Sequence, residues 1–185
     1  MKILFACHRF PFPPNRGGKI RPFNMIRHLS QKHEVFVGSV AHTQQEFEEG
    51  AGLKEYCGEI YDEVVPEKTR WLQAVKALPT ATPSSVAYFA SSRLCQRINE
   101  AAQRISFDVV MVHCAFAAQY GLGVSAKFRL MDFGDLDSGK WLDYSKWHSF
   151  PLSWGYYLEG SKLRRYEKQI AAAHGSPANK SKLGG

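Results

Sequence analysis

No apolar run in this sequence approaches the roughly 18 residues that would cross a bilayer as a helix. The opening Met1-Lys-Ile-Leu-Phe-Ala-Cys7 is cut off by His8-Arg9, too early for the apolar core of a secretory leader, so the expected location is cytoplasmic. Cysteine is scarce: the 4 thiols, at positions 7, 57, 95 and 114, form no Cys-x-x-Cys pair and read as free and mostly buried. The 7 histidines include no His-Glu-x-x-His and no Cys/His cluster at zinc spacing, and no metal is expected. Gly-x-Gly-x-x-Gly and the P-loop pattern are both missing, which counts against a dinucleotide-dependent oxidoreductase. There is no internal repeat, and no helix-turn-helix, zinc-finger or RNP signature, so nucleic acid is not expected as a partner.

What remains is an ordinary globular composition. Hydrophobic residues make up 44%, charged residues 22% and aromatics 13% of 185 positions, enough for one α/β domain with a substantial core and too few for two. The formal net charge is +7, from 24 Lys+Arg against 17 Asp+Glu, which suits an anionic partner such as an acidic membrane surface or a phosphorylated small molecule. The basic residues gather locally at 16–27 and 162–168.

Short strand-like runs alternate with helical periodicity along the chain. Strands are predicted at 2–7, 34–40, 59–65, 108–113 and 128–133. Helices are predicted from Lys19 to about 32, and from 43 to 56 with Thr43 and Glu46 as a capping box. Further helices are expected at 70–78, at 84–105 as one long element capped by Ser84 or Ser85, and at 115–120, 138–147 and 154–173. The alternation predicts a Rossmann-like, doubly wound parallel α/β sheet with helices on both faces. One domain spans 1–173, and the small, polar, breaker-rich stretch 174–185 reads as a flexible tail.

Ligands of doubly wound sheets sit beyond the carboxyl ends of the strands, and the first strand-to-helix turn is the usual anion site. Here that turn is Arg9-Phe-Pro-Phe-Pro-Pro-Asn-Arg-Gly-Gly18. Gly17 and Gly18 would let backbone approach a phosphate, and the next helix offers free N–H groups and its positive dipole end. Arg16, Lys19 and Arg21 add charge. A glycine-rich turn without a ligand fits the same residues. His113, at the end of the fourth predicted strand, points to the same edge as a sugar contact or proton partner, or as a structural histidine.

Asp135-x-Asp137 follows the fifth predicted strand. Two carboxylates one residue apart invite a cation, but no third oxygen ligand stands out, and Asp137 or Ser138 serves better as a helix cap. Aromatics crowd residues 141–157 near Lys140, Lys146, Lys162, Arg164 and Arg165. They fit contact with an anionic membrane, a sugar platform, or packing. The segment 162–168, with Glu159 and Glu167, reads as a solvated helix face.

Taken together, Ile3-Leu-Phe, the turn ending in Gly17-Gly18, the helix carrying Arg21, Asn24 and Leu29, and His33-Glu-Val-Phe-Val resemble the N-terminal half of a GT-B glycosyltransferase of family 4. The stretch Asp132-Phe-Gly-Asp-Leu-Asp-Ser-Gly-Lys-Trp141 narrows the resemblance to sugar transferases associated with PEP-CTERM/exosortase systems of exopolysaccharide-producing bacteria. The resemblance covers roughly residues 1–170. It implies a retaining transfer from a nucleotide-sugar donor, a UDP- or GDP-sugar, to a glycan or lipid-linked acceptor, with no obligatory metal and no covalently bound cofactor. It implies that Gly17 and Gly18 approach the donor diphosphate or sugar, and that His113 sits beside the donor sugar. Family enzymes carry a second, donor-binding domain. The chain is therefore expected to be the acceptor-side domain alone, inactive or nearly so in isolation, and in contact with the cytoplasmic face of the inner membrane. The rival expectation is a non-catalytic module that binds a glycan or a partner chain.

Overall fold

The structure is a computed structural model that describes residues 1–175. Its centre is a five-stranded, all-parallel sheet in the order β3-β2-β1-β4-β5. The strands are β1 (Lys2–Cys7), β2 (Glu34–Ala41), β3 (Glu59–Val64), β4 (Phe107–His113) and β5 (Ala126–Asp132). In β1 every residue after Lys2 is buried, as befits a strand covered on both faces, and a continuous apolar run is its signature. β1 pairs with β2 through Leu4–Phe36 and with β4 through Phe5–Met111, so it sits at the centre of the sheet. This is the doubly wound α/β fold the alternation predicts.

Helices cover both faces. On one, α1 (Gly17–Ser30) lays Phe23 and Ile26 over β1 and β2, with Phe5, Val35, Val37 and Leu53. On the other, α5 (Ser92–Arg104) presents Leu94, Ile98 and Ala101 to Leu4, Val110 and Val112. Burial of these aliphatic and aromatic side chains, each stabilising by about 1.5–3 kcal/mol, dominates the fold. At the β5 end of the first face the covering thins out: Phe128 and Leu130 are exposed.

The structure differs from the sequence reading in several places. α1 begins two residues early, so Gly17 and Gly18 belong to its first turn. The single helix predicted over 84–105 is two, α4 (Ser84–Tyr88) and α5, with Ser91 recapping the second by accepting from Leu94 N. No Gly or Pro marks that break; it comes where Phe89 turns into the core and its carbonyl accepts the Tyr120 hydroxyl. The helix predicted over 43–56 is α2 (Gln44–Glu49) followed by a 3₁₀ segment, Gly50–Glu55. Thr43 caps it by accepting from Glu46 N, but the Glu46 carboxylate reaches back one residue further than expected, to the N–H of His42. Finally, His174 and Gly175 continue the last helix instead of opening a tail; the remainder of the predicted tail lies outside the described residues.

The remaining helices are α3 (Glu67–Ala77), α6 (Ala118–Gly121), α7 (Asp137–Trp147) and α8 (Leu152–Gly175). α8 is a strap. Leu163 and Ile170 fasten it in the core, and its charged residues close the ends of three other helices. Glu159 accepts from the backbone N–H groups of Ser84 and Ser85 at the start of α4. Lys162 donates to the carbonyls of Ala77 and Leu78 at the end of α3. Glu167 accepts from the N–H of Ser138 at 3.1 Å and from its hydroxyl at 2.5 Å, at the start of α7. Orphan groups at helix ends need such partners, and carboxylates suit N-termini as ammonium groups suit C-termini. Two sequence readings are thereby corrected. Glu159 and Glu167 are buried, not solvated, and the cap of α7 comes from Glu167, not from Asp137 or Ser138.

Candidate functional site

The carboxyl edge of the sheet gathers most of the chain's chemistry, because parallel strands deliver the residues that follow them to one side. β1 is followed by His8 and Arg9, and β2 by His42; β4 ends in His113 and β5 in Asp132.

β4 and β5 pair so that His113 stands opposite Asp132. His113 Nδ1–H donates to Asp132 Oδ2 at 2.9 Å. With the carboxylate as acceptor, the bonded nitrogen carries the proton, and in the neutral ring Nε2 then keeps its lone pair. The other carboxylate oxygen, Oδ1, accepts from the Arg21 guanidinium at 2.8 Å and from Gly134 N at 3.1 Å. One carboxylate thus fixes a ring, an arginine and a turn, an arrangement that holds an imidazole in one tautomer and one orientation.

The backbone around this pair is specialised. Cys114, just after His113, has φ 75°, a region non-glycine residues avoid, and its N–H donates to the Asp132 carbonyl at 2.8 Å. Gly134 has φ +70°, and a Cβ there would come within 3.7 Å of the His113 ring. Both turns close around the imidazole. Burial pushes the Cys114 thiol up to about 12, which disfavours the thiolate that a nucleophile needs.

The glycine-rich turn lies beside this array. Gly17 and Gly18 have ordinary helical backbone, so no positive φ calls for glycine there. What they provide is room. A Cβ at Gly17 would meet nothing within 4 Å, and one at Gly18 only Arg9 Cδ at 3.8 Å. The preceding Arg16 is exposed and makes no side-chain cap, and no acidic residue occupies the first turn, so the N-terminus of α1 is open. Lys19 is placed otherwise. It is 4% exposed and pairs with Glu46 at 2.5 Å, which ties α1 to α2 and faces the charge inward. Arg21 is exposed and pairs with Asp132 through one guanidinium nitrogen. Of the residues singled out from the sequence, His113 and Arg21 therefore meet through Asp132, Arg16, Gly17 and Gly18 stand open beside them, and Lys19 is turned away.

A second group lies beyond β1 and β2. His8 packs edge-on against Phe89 at 5.0 Å and Phe116 at 5.6 Å, and His42 lies 5.7 Å from Phe89. Burial, with the charge of Arg9, pushes His8 down to about 3. Burial, with the charge of Arg70, lowers His42 to about 4. Sequence reasoning passed over His8, His42 and Asp132. The rule that could have found them is positional: each is the last residue of a parallel strand or the first beyond one.

Comparison with protein families, curated proteins and solved structures returns no match for this chain. The functional reading rests on the site alone. Among the described residues no group of three or more His, Cys, Asp or Glu side chains could hold a metal ion. Asp135 and Asp137 share Lys140, at 2.9 and 3.3 Å, in place of a cation. No helix among the described residues is long and apolar enough to cross a membrane.

Proposed function

We propose that this chain is the acceptor-side domain of a retaining glycosyltransferase. It would act with a donor-binding domain to move a sugar from a UDP- or GDP-sugar to a glycan or lipid-linked acceptor of surface polysaccharide synthesis. The observation that carries the reading is the His113–Asp132–Arg21 array set beside the uncapped start of α1, where Gly17 and Gly18 present no side chains. A sugar transfer of this kind needs a shallow, polar edge that orients two substrates, since positioning alone supplies much of the rate. In it, His113 Nε2 contacts a sugar hydroxyl or accepts its proton, and Asp132 is a positioning residue that fixes the ring. Gly17 and Gly18 leave space for the donor diphosphate, whose charge the N-terminus of α1 favours. Arg16 lies where it can add to that field, while Arg21 does so through Asp132.

The apolar residues at the turn between α7 and α8 support peripheral contact with an acidic membrane. Trp147, Phe150, Leu152 and Trp154 are exposed, and the segment 147–154 contains no Asp, Glu, Lys or Arg.

The test is a radiolabelled transfer assay on a polypeptide joining this domain to a donor-binding domain. The reading expects sugar-dependent product that falls at least about a hundredfold in His113→Ala with the circular dichroism unchanged. Saturable acceptor binding without transfer would favour a binding module instead.

A further inference from the structure

Arg70, on the first turns of α3, is the one arginine buried to 4% exposure, yet no carboxylate among the described residues pairs with it. Its Nε and Nη1 are buried without a hydrogen-bond partner. Its guanidinium lies over Tyr88, 4.9 Å from the ring centroid. An isolated buried charge is costly, and native proteins pair it or supply a ligand.

The surroundings are of the same kind. Tyr88 packs on Phe89 at 5.1 Å, and Phe89 in turn meets His8, His42 and the Arg9 guanidinium, the last at 6.0 Å. His8 Nδ1 and His42 Nε2 are also buried without partners. Two guanidinium groups and two unsatisfied imidazoles thus surround one aromatic pair at the carboxyl ends of β1 and β2, the edge where such sheets bind ligands. Glu46, the carboxylate beside His42, is already committed to Lys19 and to the backbone N–H of His42.

We propose that Arg70, with His42, His8 and Arg9, forms a binding site for a phosphoryl group. Arg70 supplies a planar fork of N–H donors, which matches phosphate oxygens two at a time. The imidazoles donate to the remaining oxygens, and the Tyr88–Phe89 pair walls the site from water, which strengthens each contact. The site shares no residue with the His113–Asp132 pair but lies next to it, since Cys7, just before His8, stands opposite His113 in the sheet. It rests on the sugar-transfer reading only for the source of the phosphate, the donor diphosphate or a phosphate-bearing lipid acceptor.

The test titrates the folded chain with inorganic phosphate and with pyrophosphate, following the thermal midpoint and the arginine Nε–H and histidine side-chain NMR signals. Saturable shifts at Arg70 and His42, with a midpoint that rises with pyrophosphate, are expected. Arg70→Met keeps the length and removes the charge; it should weaken binding at least about tenfold and raise the ligand-free midpoint, because an unpaired buried charge is gone. Arg9→Gln, in the loop, should weaken binding without touching that midpoint. UDP and dodecyl phosphate then separate the sources, the stronger competitor with pyrophosphate naming the donor or the acceptor. No saturable binding of either phosphate, or binding undiminished in Arg70→Met, overturns the site. Phosphate binding in a protein that transfers no sugar would leave the site standing and remove the sugar-transfer reading.

Discussion

Asp132 does more than its neighbours, because one side chain serves His113, Arg21 and Gly134 at once. Asp132→Asn keeps the shape but lets the amide face His113 with either atom, so the favoured tautomer is lost. In the joined enzyme it should lower kcat by about a hundredfold or more with little change in KM, whereas Arg21→Gln should act more weakly. Steady-state kinetics of the two variants checks this order. His8 and His42 set a pH response. Their folded pKa values, about 3 and about 4, lie below the ordinary 6.5, so the unfolded chain binds the extra protons and stability falls as pH drops from 6.5 toward 4. Glu46 acts in the same direction at lower pH. Burial alone would raise its pKa, but the bonds from Lys19 and the His42 N–H outweigh it, and the stability they give is lost as the carboxylate protonates. Urea midpoints should therefore be flat between about pH 7 and 8, fall toward pH 5, and fall again in alkali, where the unfolded thiols ionise before the buried ones. His8→Gln should flatten part of that slope, at most about 1.4 kcal/mol per pH unit.

The helices show where sequence patterns carry far and where they stop. β1 was legible to the residue, since an apolar run at the centre of a parallel sheet has only one reading. α1 followed from its periodicity. The break between α4 and α5 was not legible, because tertiary packing of Phe89 made it. The roles of Glu159, Lys162 and Glu167 were hidden for a related reason: a charge pattern looks the same whether it faces water or the end of another helix. Their burial makes them sensitive. Glu167→Ala leaves the Ser138 N–H and hydroxyl without a partner and should cost about 1.5–3 kcal/mol, as should Glu159→Ala at α4. Chemical denaturation reads both. Lys168→Ala, on the exposed side of the same helix, should move the midpoint within about 0.5 kcal/mol.

Across the domain, the sequence told the class of fold and the edge at which to look, while the partners at that edge were a matter of topology. His113 and Asp132 are 19 residues apart and meet only because β4 and β5 lie side by side in register. Arg70 carries no signal at all in the sequence, since only the packed α3–α4 pair shows that it is buried and unpaired. Surface character follows the same logic. α3 exposes Trp71, Leu72, Val75 and Leu78, and its C-terminal carbonyls lie against Lys162, eight residues or about 12 Å along α8 from the exposed Trp154. These apolar groups belong to a molecule with a net charge of +7. The domain should therefore float with vesicles containing phosphatidylglycerol and not with neutral ones, and Trp147→Ser with Phe150→Ser should reduce the bound fraction at least about tenfold.

The strap formed by α8 also imposes an order on biosynthesis. The N–H groups of Ser84 and Ser85 wait for Glu159, 75 and 74 residues downstream, and the carbonyls of Ala77 and Leu78 wait for Lys162, 85 and 84 residues downstream. While a ribosome is still making the second half of the chain, β1, β2 and α1 can already pair, but α3 and α4 have raw ends. The nascent domain closes only when α8 leaves the exit tunnel. Until then the wall that encloses Arg70 stays loose, and the phosphate site is among the last parts of the protein to come into existence.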